Sequence, residues 1–271
     1  MTVPAGRPRF ARLITFLTPP ERTPLPVAHR KVQQMAQSTT PAANAASHQG
    51  GVVITPEAVA ENPRVKVFIR KSDEALAEIG YTEHGERHVT LVSNIAYNVL
   101  KRLGHPERDA ELAKMAGLLH DIGNAVNRDH HAQTSALMAM QILGEMGMSD
   151  TELVRVMGAI GNHHENDGDP VSPVAAALIL ADKSDVHRTR VRNPDMIKFD
   201  IHDRVNYAVT KSFLNVDEAN KTIVLELTVD NHISQVMEYF EIFMTRMLAS
   251  RKAALYLGTS FGLIVNGNRL T

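Results

Sequence analysis

Apolar residues recur at helical spacing through most of the chain from residue 56 onward. Between Pro63 and Ile79 they fall at 65, 67, 68, 75, 76 and 79, and Gly80 supplies a stop. A second helix is expected from Glu86 to Leu103, ended by Gly104. A third runs from Pro106 to Leu119, with Pro106 suited to the first turn and Leu112, Met115, Ala116 and Leu119 forming the buried stripe. A fourth covers His131 to Met146. Ser149 and Glu152 have the spacing of a capping box and open a fifth helix that ends near Asn162. Ser172-Pro173 opens a sixth, whose nearly uninterrupted apolar run from Val174 to Ala181 is the profile of a buried helix delivering Asp182.

Past Phe199 the period changes. Tyr207 to Val216 and Thr222 to Val229 are β-rich, and Ile223, Leu225, Leu227 and Val229 alternate with polar or exposed positions, so a hairpin turning at Asp217 to Lys221 is expected. A long amphipathic helix follows, about His232 to Leu257, whose Met237, Met244 and Met247 read as core packing. Phe261 to Val265 then returns as a third strand. The predicted class is mainly α: a helical bundle with a small C-terminal hairpin or sheet and a long C-terminal helix. Residues 56–198 would form the catalytic helical domain and 199–271 an α+β elaboration packed on it, because nothing between them reads as a linker.

Residues 1–55 read differently. The first 50 hold six Lys or Arg against one acid, Glu21, and the prolines at 4, 8, 19, 20, 24 and 26 precede a low-complexity stretch from Gln37 to Gly51. Such a segment buries too little apolar surface to offset its ordering entropy, and predicts a disordered arm. Phe10 to Leu17 is amphipathic but too short for a stable lone helix.

Composition narrows the function classes. At 271 residues and 44% apolar content, the chain suffices for one sizeable core. A net charge of -1 gives no general attraction for nucleic acid, and five Tyr with no Trp give little to stack on bases. The absence of cysteine excludes disulfides and thiolate metal sites. Neither a secretory signal nor an apolar run of spanning length is seen, so the expectation is a cytoplasmic protein with no membrane partner; a homo-oligomer is left open.

Chemistry is concentrated in seven residues: His88, the pair His120-Asp121, His131, the pair His163-His164, and Asp182. They are enough imidazole and carboxylate ligands for two ions sharing one bridge, the signature of a dinuclear metal hydrolase. Each has an ordinary structural alternative. His88 would be a hydrogen-bonded histidine, His120 a helix C-cap, Asp121 a turn former, and His163-His164 surface residues. Their grouping weighs against these. Gly123 is read as permitting a sharp chain reversal after His120-Asp121. Of His130 and His131, one faces inward if both are helical, because neighbours point roughly 100° apart. A carboxylate ending a buried helix, as Asp182 does, needs a partner or a metal. The run Lys183, Asp185, His187, Arg188, Arg190 and Arg192 beyond it reads equally as phosphate-holding cations or as a solvated helix end.

The segments His88-Val89-Thr90-Leu91-Val92, Leu119-His120-Asp121-Ile122-Gly123, His131 with Ser135, His163-His164-Glu165 and Ala181-Asp182-Lys183-Ser184-Asp185 resemble the successive motifs of the HD superfamily of metal-dependent phosphohydrolases, HDIG type. Their order is similar to that in the HD domain of ribonuclease Y and in the HD-GYP phosphodiesterases. The resemblance covers about residues 80–192 and implies an HD-domain helical bundle. It implies one metal on His88, His120, Asp121 and Asp182, and a second on His131, His163 and His164 with Asp121 bridging. His131 is preferred to His130 because in the resembling proteins a ligand histidine lies four positions before a small residue, here Ser135. Catalytic roles fall to Asp121, His120 and Lys183, and substrate contacts to Asn124, Lys183, Arg188 and Arg190. His84, His130 and Asp185 are additional candidates.

Two departures stand out. Asn124 occupies the place where many relatives carry Lys, and the segment after His164 lacks the GYP triplet. The implied reaction is hydrolysis of a phosphomonoester or phosphodiester, on a phosphorylated small molecule or nucleotide, by water activated between two divalent transition-metal ions. Mn or Fe suits the ligands best, with Zn, Ni, Co or Mg as substitutes. Two other readings share the sequence: a diiron oxygenase on the same site, and a weakly catalytic nucleotide-sensing HD protein.

Overall fold

A computed structural model describes residues 53–270. The arm expected over 1–55, with the Phe10–Leu17 run, lies almost wholly outside the described residues.

Seven helices come first: α1 (Pro56–Glu61), α2 (Pro63–Glu78), α3 (Glu86–Arg102), α4 (Glu107–Leu119), α5 (His131–Glu145), α6 (Asp150–Gly161) and α7 (Pro173–Ser184). The periodicity places α2 to α7 to within a residue or two. The short α1 went unanticipated; Thr55 caps it by accepting from the Ala58 N–H, and Pro56 starts its first turn. The capping box expected at α6 does not form, since the Ser149 side chain makes no cap hydrogen bond. Its would-be partner Glu152 is taken instead by Arg108, which donates to both carboxylate oxygens at 2.6 and 2.7 Å. A bidentate guanidinium outcompetes a single backbone N–H for the same carboxylate.

Helices α3, α4 and α7 form the centre. Helix α7 is buried all round from Val174 to Ala181. α3 and α4 approach closely because Gly117 has no side chain: a Cβ there would stand 2.6 Å from the Ser93 Cα. Val92, Ala96, Leu112, Met115 and Leu119 are fully buried around that contact. Burying a side chain of Val or Leu size contributes about 1.5–3 kcal/mol, so this is the stable frame from which the ligand-bearing turns project.

Beyond it come α8 (Ile201–Ala208), β1 (Val209–Asp217), β2 (Thr222–Val229), α9 (Val236–Tyr256), β3 (Ser260–Val265) and β4 (Asn268–Arg269). The expected start of the hairpin at Tyr207 is corrected: Tyr207 lies in α8, whose N-cap Asp200 accepts from the His202 and Asp203 N–H groups, and Val205 and Ala208 face the core. A cap plus a buried stripe overrides the local β preference. The sheet runs in the order β1-β2-β3-β4, antiparallel at both outer pairs and parallel between β2 and β3. A parallel pair needs a long crossover, which α9 supplies. Leu225, Leu227, Leu263 and Val265 pack with Tyr239, Phe243 and Met247 of α9 in a second cluster, whereas Met237 and Met244, expected in the core, lie on the exposed face of that helix. No helix among the described residues is long and apolar enough to cross a membrane.

Candidate metal centre

Helix α4 ends at Leu119, and its next two residues turn their side chains into the interior. His120 is fully buried and Asp121 nearly so. The chain then makes a tight 3-10 turn over Ile122–Ala125. The reason for Gly123 here differs from the expected one: it is not among the glycines with positive φ. It is needed because α5 passes against it. A Cβ on Gly123 would lie 2.5 Å from the Ser135 backbone nitrogen and closer still to the His131 carbonyl oxygen, and the Gly123 N–H donates to Ser135 Oγ at 2.8 Å. The small residue one turn after His131 is thus the docking point that brings α5, and His131 with it, against the His120-Asp121 turn.

The His130-His131 pair is separated differently from the expected helical divergence. His131 begins α5, while His130 precedes it in the left-handed conformation, φ 58°, with an exposed side chain. At the end of α6, His163 is buried. His164 is half-buried beside it, its ring centroid 5.1 Å from that of His131 and its Nδ1 3.2 Å from Asp167 Oδ1.

The buried imidazoles share one orientation. The Nδ1–H groups of His120, His131 and His163 donate to the carbonyls of Gly117, Arg128 and Ile160, at 2.9, 3.0 and 2.7 Å. His88 Nδ1 donates to Asp185 Oδ2 at 2.7 Å. Each donation fixes the tautomer and leaves Nε2 as the electron-pair donor. These nitrogens converge in two pairs, His88 with His120 at 3.2 Å and His131 with His163 at 3.3 Å. Asp121 stands between the pairs. Its Oδ2 lies 3.2 Å from His120 Nε2 and 3.5 Å from His88 Nε2, and its Oδ1 3.4 Å from His131 Nε2 and 3.9 Å from His163 Nε2. Asp182 Oδ1 closes the first pair, 3.5 Å from His88 Nε2 and 3.8 Å from His120 Nε2.

Unshared pairs aimed at one another in a buried space are unfavourable unless a cation sits between them. Three overlapping groups have ligand atoms close enough to hold an ion: His88-His120-Asp121, His120-His163-Asp182 and Asp121-His131-His163. The residues therefore fit divalent metal. His164 lies outside all three groups.

Burial sets the protonation of these groups. Burial, with Arg128 and His164 nearby, pushes His131 down to about 4, and burial likewise holds His163 and His84 well below the usual histidine range. His88 goes the other way. Burial and Arg190 oppose its charge, but hydrogen bonds to Asp121, Asp182 and Asp185 outweigh them and raise it to about 10. Below that pH the metal-free protein carries a proton where a metal would stand. Loading the site at about pH 7 should therefore release about one proton from His88, and apparent affinity should weaken about tenfold per unit as pH falls below 10. Titration calorimetry in buffers of different ionisation enthalpy reads this directly; metal uptake without proton release would contradict it.

The polar run after α7 is drawn into the protein. Lys183 is buried, its Nζ 2.5 Å from both Asp182 Oδ2 and Glu165 Oε2, and so holds Asp182 in place. Asp185 orients His88 and is itself gripped by Arg87 at 2.8 Å and approached by Arg190. Arg190 is buried and donates to the Glu83 and Asp185 carbonyls. Arg188 lies over the Tyr207 ring, 5.3 Å from its centroid. Asn124 is buried, its amide nitrogen 2.9 Å from the Asp121 carbonyl and 3.1 Å from Asp121 Oδ1. His84 is buried with its Nδ1–H donating to the Thr82 carbonyl at 2.7 Å, and its ring lies 5.4 Å from that of His88.

A cavity of about 710 Å³ opens beside the His131 half of the cluster. His84, His130, His131, His164, Arg128 and Arg190 border it on one side, and Asp200, Asp203, Phe243 and Arg246 on the other. Arg128 and Arg246 were not anticipated from the sequence. Arg128 carried one usable signal, as the lone cation in the turn leading to His131. Arg246 carried none, because its partner at 3.3 Å, Glu165, lies 81 residues away.

Residues 85–186 match the family model described as HD domain. The chain carries an HD domain. Its relatives include an uncharacterized protein of Methanocaldococcus jannaschii, 28% identical over 203 residues that make up 66% of this chain and 78% of that one. Ribonuclease Y of Petrotoga mobilis is 32% identical over 51% of this chain and 26% of its own length, and that of Bacillus subtilis 34% identical over 42% and 20%. The chain thus spans about a quarter or less of those ribonuclease Y sequences. A predicted HD superfamily hydrolase from an uncultured Thermotogales bacterium, of known crystal structure, aligns at 23% identity over 46% of this chain and 68% of that one, with a TM-score of 0.38. The seven HD ligand candidates fall within the matched span, whereas Asp200, Asp203, Phe243 and Arg246 lie past its end.

Proposed function

We propose that this HD protein is a phosphohydrolase that uses two divalent metal ions to cleave a phosphomonoester or phosphodiester of nucleotide size. The observation that carries the reading is the placement of Asp121, whose two oxygens face separate imidazole pairs. One carboxylate so placed could serve two ions at once. His88, His120, Asp121 and Asp182 would hold the first and His131 and His163, with Asp121, the second; His164 is the nearest further imidazole. When bound, such ions acidify a shared water, polarise a phosphoryl oxygen and stabilise the leaving oxygen. The all-nitrogen and oxygen donor set favours Mn or Fe, with Zn, Ni, Co or Mg as substitutes.

The protein's own groups do the rest. Asp185 holds the His88 tautomer, Lys183 holds the Asp182 carboxylate, and buried helices exclude bulk water from the first half-site. The second half-site borders the cavity, whose size lies in the range of small-molecule sites of about 300–1,000 Å³. The name ribonuclease Y, borne by several relatives, supports keeping linear RNA among the substrates tried.

The test is reconstitution with each metal followed by a panel of mononucleotides, linear diesters and cyclic di-GMP. Turnover of a mononucleotide or linear diester is expected. Cyclic di-GMP should be the poorer substrate, because the buried Asn124 supplies no charge where the resembling family has Lys. No turnover by fully loaded protein would overturn the reading, and substrate-coupled oxygen uptake by the iron form would replace it with an oxygenase.

A further inference from the structure

We infer that Arg128 is the side chain that receives the substrate's phosphoryl oxygens, and that Asn124 presents it. This rests on the phosphohydrolase reading above.

Most of the cations near the cavity are already committed. Three arginines border the cavity. Arg190 is buried and donates to the Glu83 and Asp185 carbonyls, with the Asp185 carboxylate 3.7 Å away. Arg246 pairs with Glu165 at 3.3 Å and lies 4.5 Å from the Phe243 ring centroid. Lys183, behind them, is neutralised by two carboxylates. Arg128 alone among the three arginines has no carboxylate partner among the described residues. A half-buried guanidinium without a counterion, facing an open cavity, is set to receive an anion.

Its position is fixed by neutral contacts. Nη1 donates to Asn124 Oδ1 at 3.2 Å, and the guanidinium carbon lies 5.2 Å from the Tyr81 ring centroid. Asn124 uses its amide nitrogen on Asp121 and its amide oxygen on Arg128, so one side chain links the bridging carboxylate to the guanidinium. These contacts leave most of the five guanidinium donors available. Nη1 is also 3.5 Å from His131 Nε2, the nitrogen that faces the second half-site. An anionic oxygen at this mouth would be shared between the half-site and the guanidinium. The charge absent at Asn124 thus returns four residues later, on a longer arm that reaches the cavity.

Arg128→Ala, Arg128→Lys and Asn124→Ala should be compared with wild type as metal-loaded full chains. Metal content by elemental analysis, affinity for inorganic phosphate by calorimetry, and kcat/KM on the best substrate are measured together. Arg128→Ala should keep its full metal content, bind phosphate about 10- to 100-fold more weakly and lose kcat/KM in proportion. Arg128→Lys should recover part of both, since a point charge lacks the fork. Phosphate affinity and turnover within twofold of wild type in Arg128→Ala would overturn the assignment. So would loss of metal from Arg128→Ala, which would make the residue part of the ion site. If wild type itself neither binds phosphate nor hydrolyses any phosphoester, the phosphohydrolase reading falls and this inference with it; an active wild type with an unaffected variant removes Arg128 alone.

Discussion

Replacing Asp121 with alanine is expected to empty both ion sites at once and reduce hydrolysis to background. The carboxylate turns one oxygen to each imidazole pair, and the two other carboxylates nearest the cluster are committed elsewhere. Asp182 reaches the first pair and is tied to Lys183, while Asp185 is gripped by Arg87 and bonded to the far nitrogen of His88. His131→Ala is the contrasting variant. It removes a ligand from the second half-site and leaves His88, His120, Asp121 and Asp182 around the first, so it should lose one ion and keep the other. Elemental analysis of both proteins under saturating metal decides the matter. Two ions retained by Asp121→Ala, or unchanged stoichiometry in His131→Ala, would dismantle the bridged arrangement.

The second large effect belongs to Gly123→Ala. The added methyl group would meet backbone atoms of α5, which have no rotamer by which to yield, so helix and turn must separate. Overpacking of this kind costs about 1–3 kcal/mol, a fall in Tm of roughly 2–12 °C for a domain of this size. The separation would also draw His131 from His163 and lengthen the Gly123 N–H bond to Ser135 Oγ. The variant should therefore melt earlier and hold its second ion weakly, while the first half-site, carried on α3, α4 and α7, persists. An unchanged melting temperature with two tightly held ions would show that α5 accommodates the methyl group.

Most of the helical frame was legible because its signals are local. The stripe of Leu112, Met115, Ala116 and Leu119 announces α4, and the Ser172 cap with the run to Ala181 announces α7. The side chains that converge were legible as a set, His164 apart, because His-Asp and His-His pairs at helix ends are chemically distinctive. What escaped was long-range competition. Glu152 could not be known to abandon its cap for Arg108, 44 residues away; a local feature was also missed, the Asp200 cap of α8, which draws Tyr207 and Ala208 out of the expected strand. Gly123 was picked out for the wrong property, since a sequence shows that a residue is small without showing what passes against it. Likewise the cations after Asp182 looked available to a ligand, whereas Lys183 and Arg190 answer to Glu165, Glu83 and Asp185.

The crossover from β2 to β3 has a consequence for how such a protein diversifies. Phe243 and Arg246 border the cavity from α9, a helix that packs on α7 as well as on the sheet, and α8 adds Asp200 and Asp203 from the same C-terminal stretch. One wall of the cavity is thus encoded after the stretch that holds the proposed ion sites, while Arg128, His131 and His164 supply the other wall from within it. Exchanging residues 200–256 between homologous proteins would therefore alter that wall while the sequence from His88 to Asp182 stayed the same, and on the proposed reading a change of preferred substrate without a change of metal content is expected.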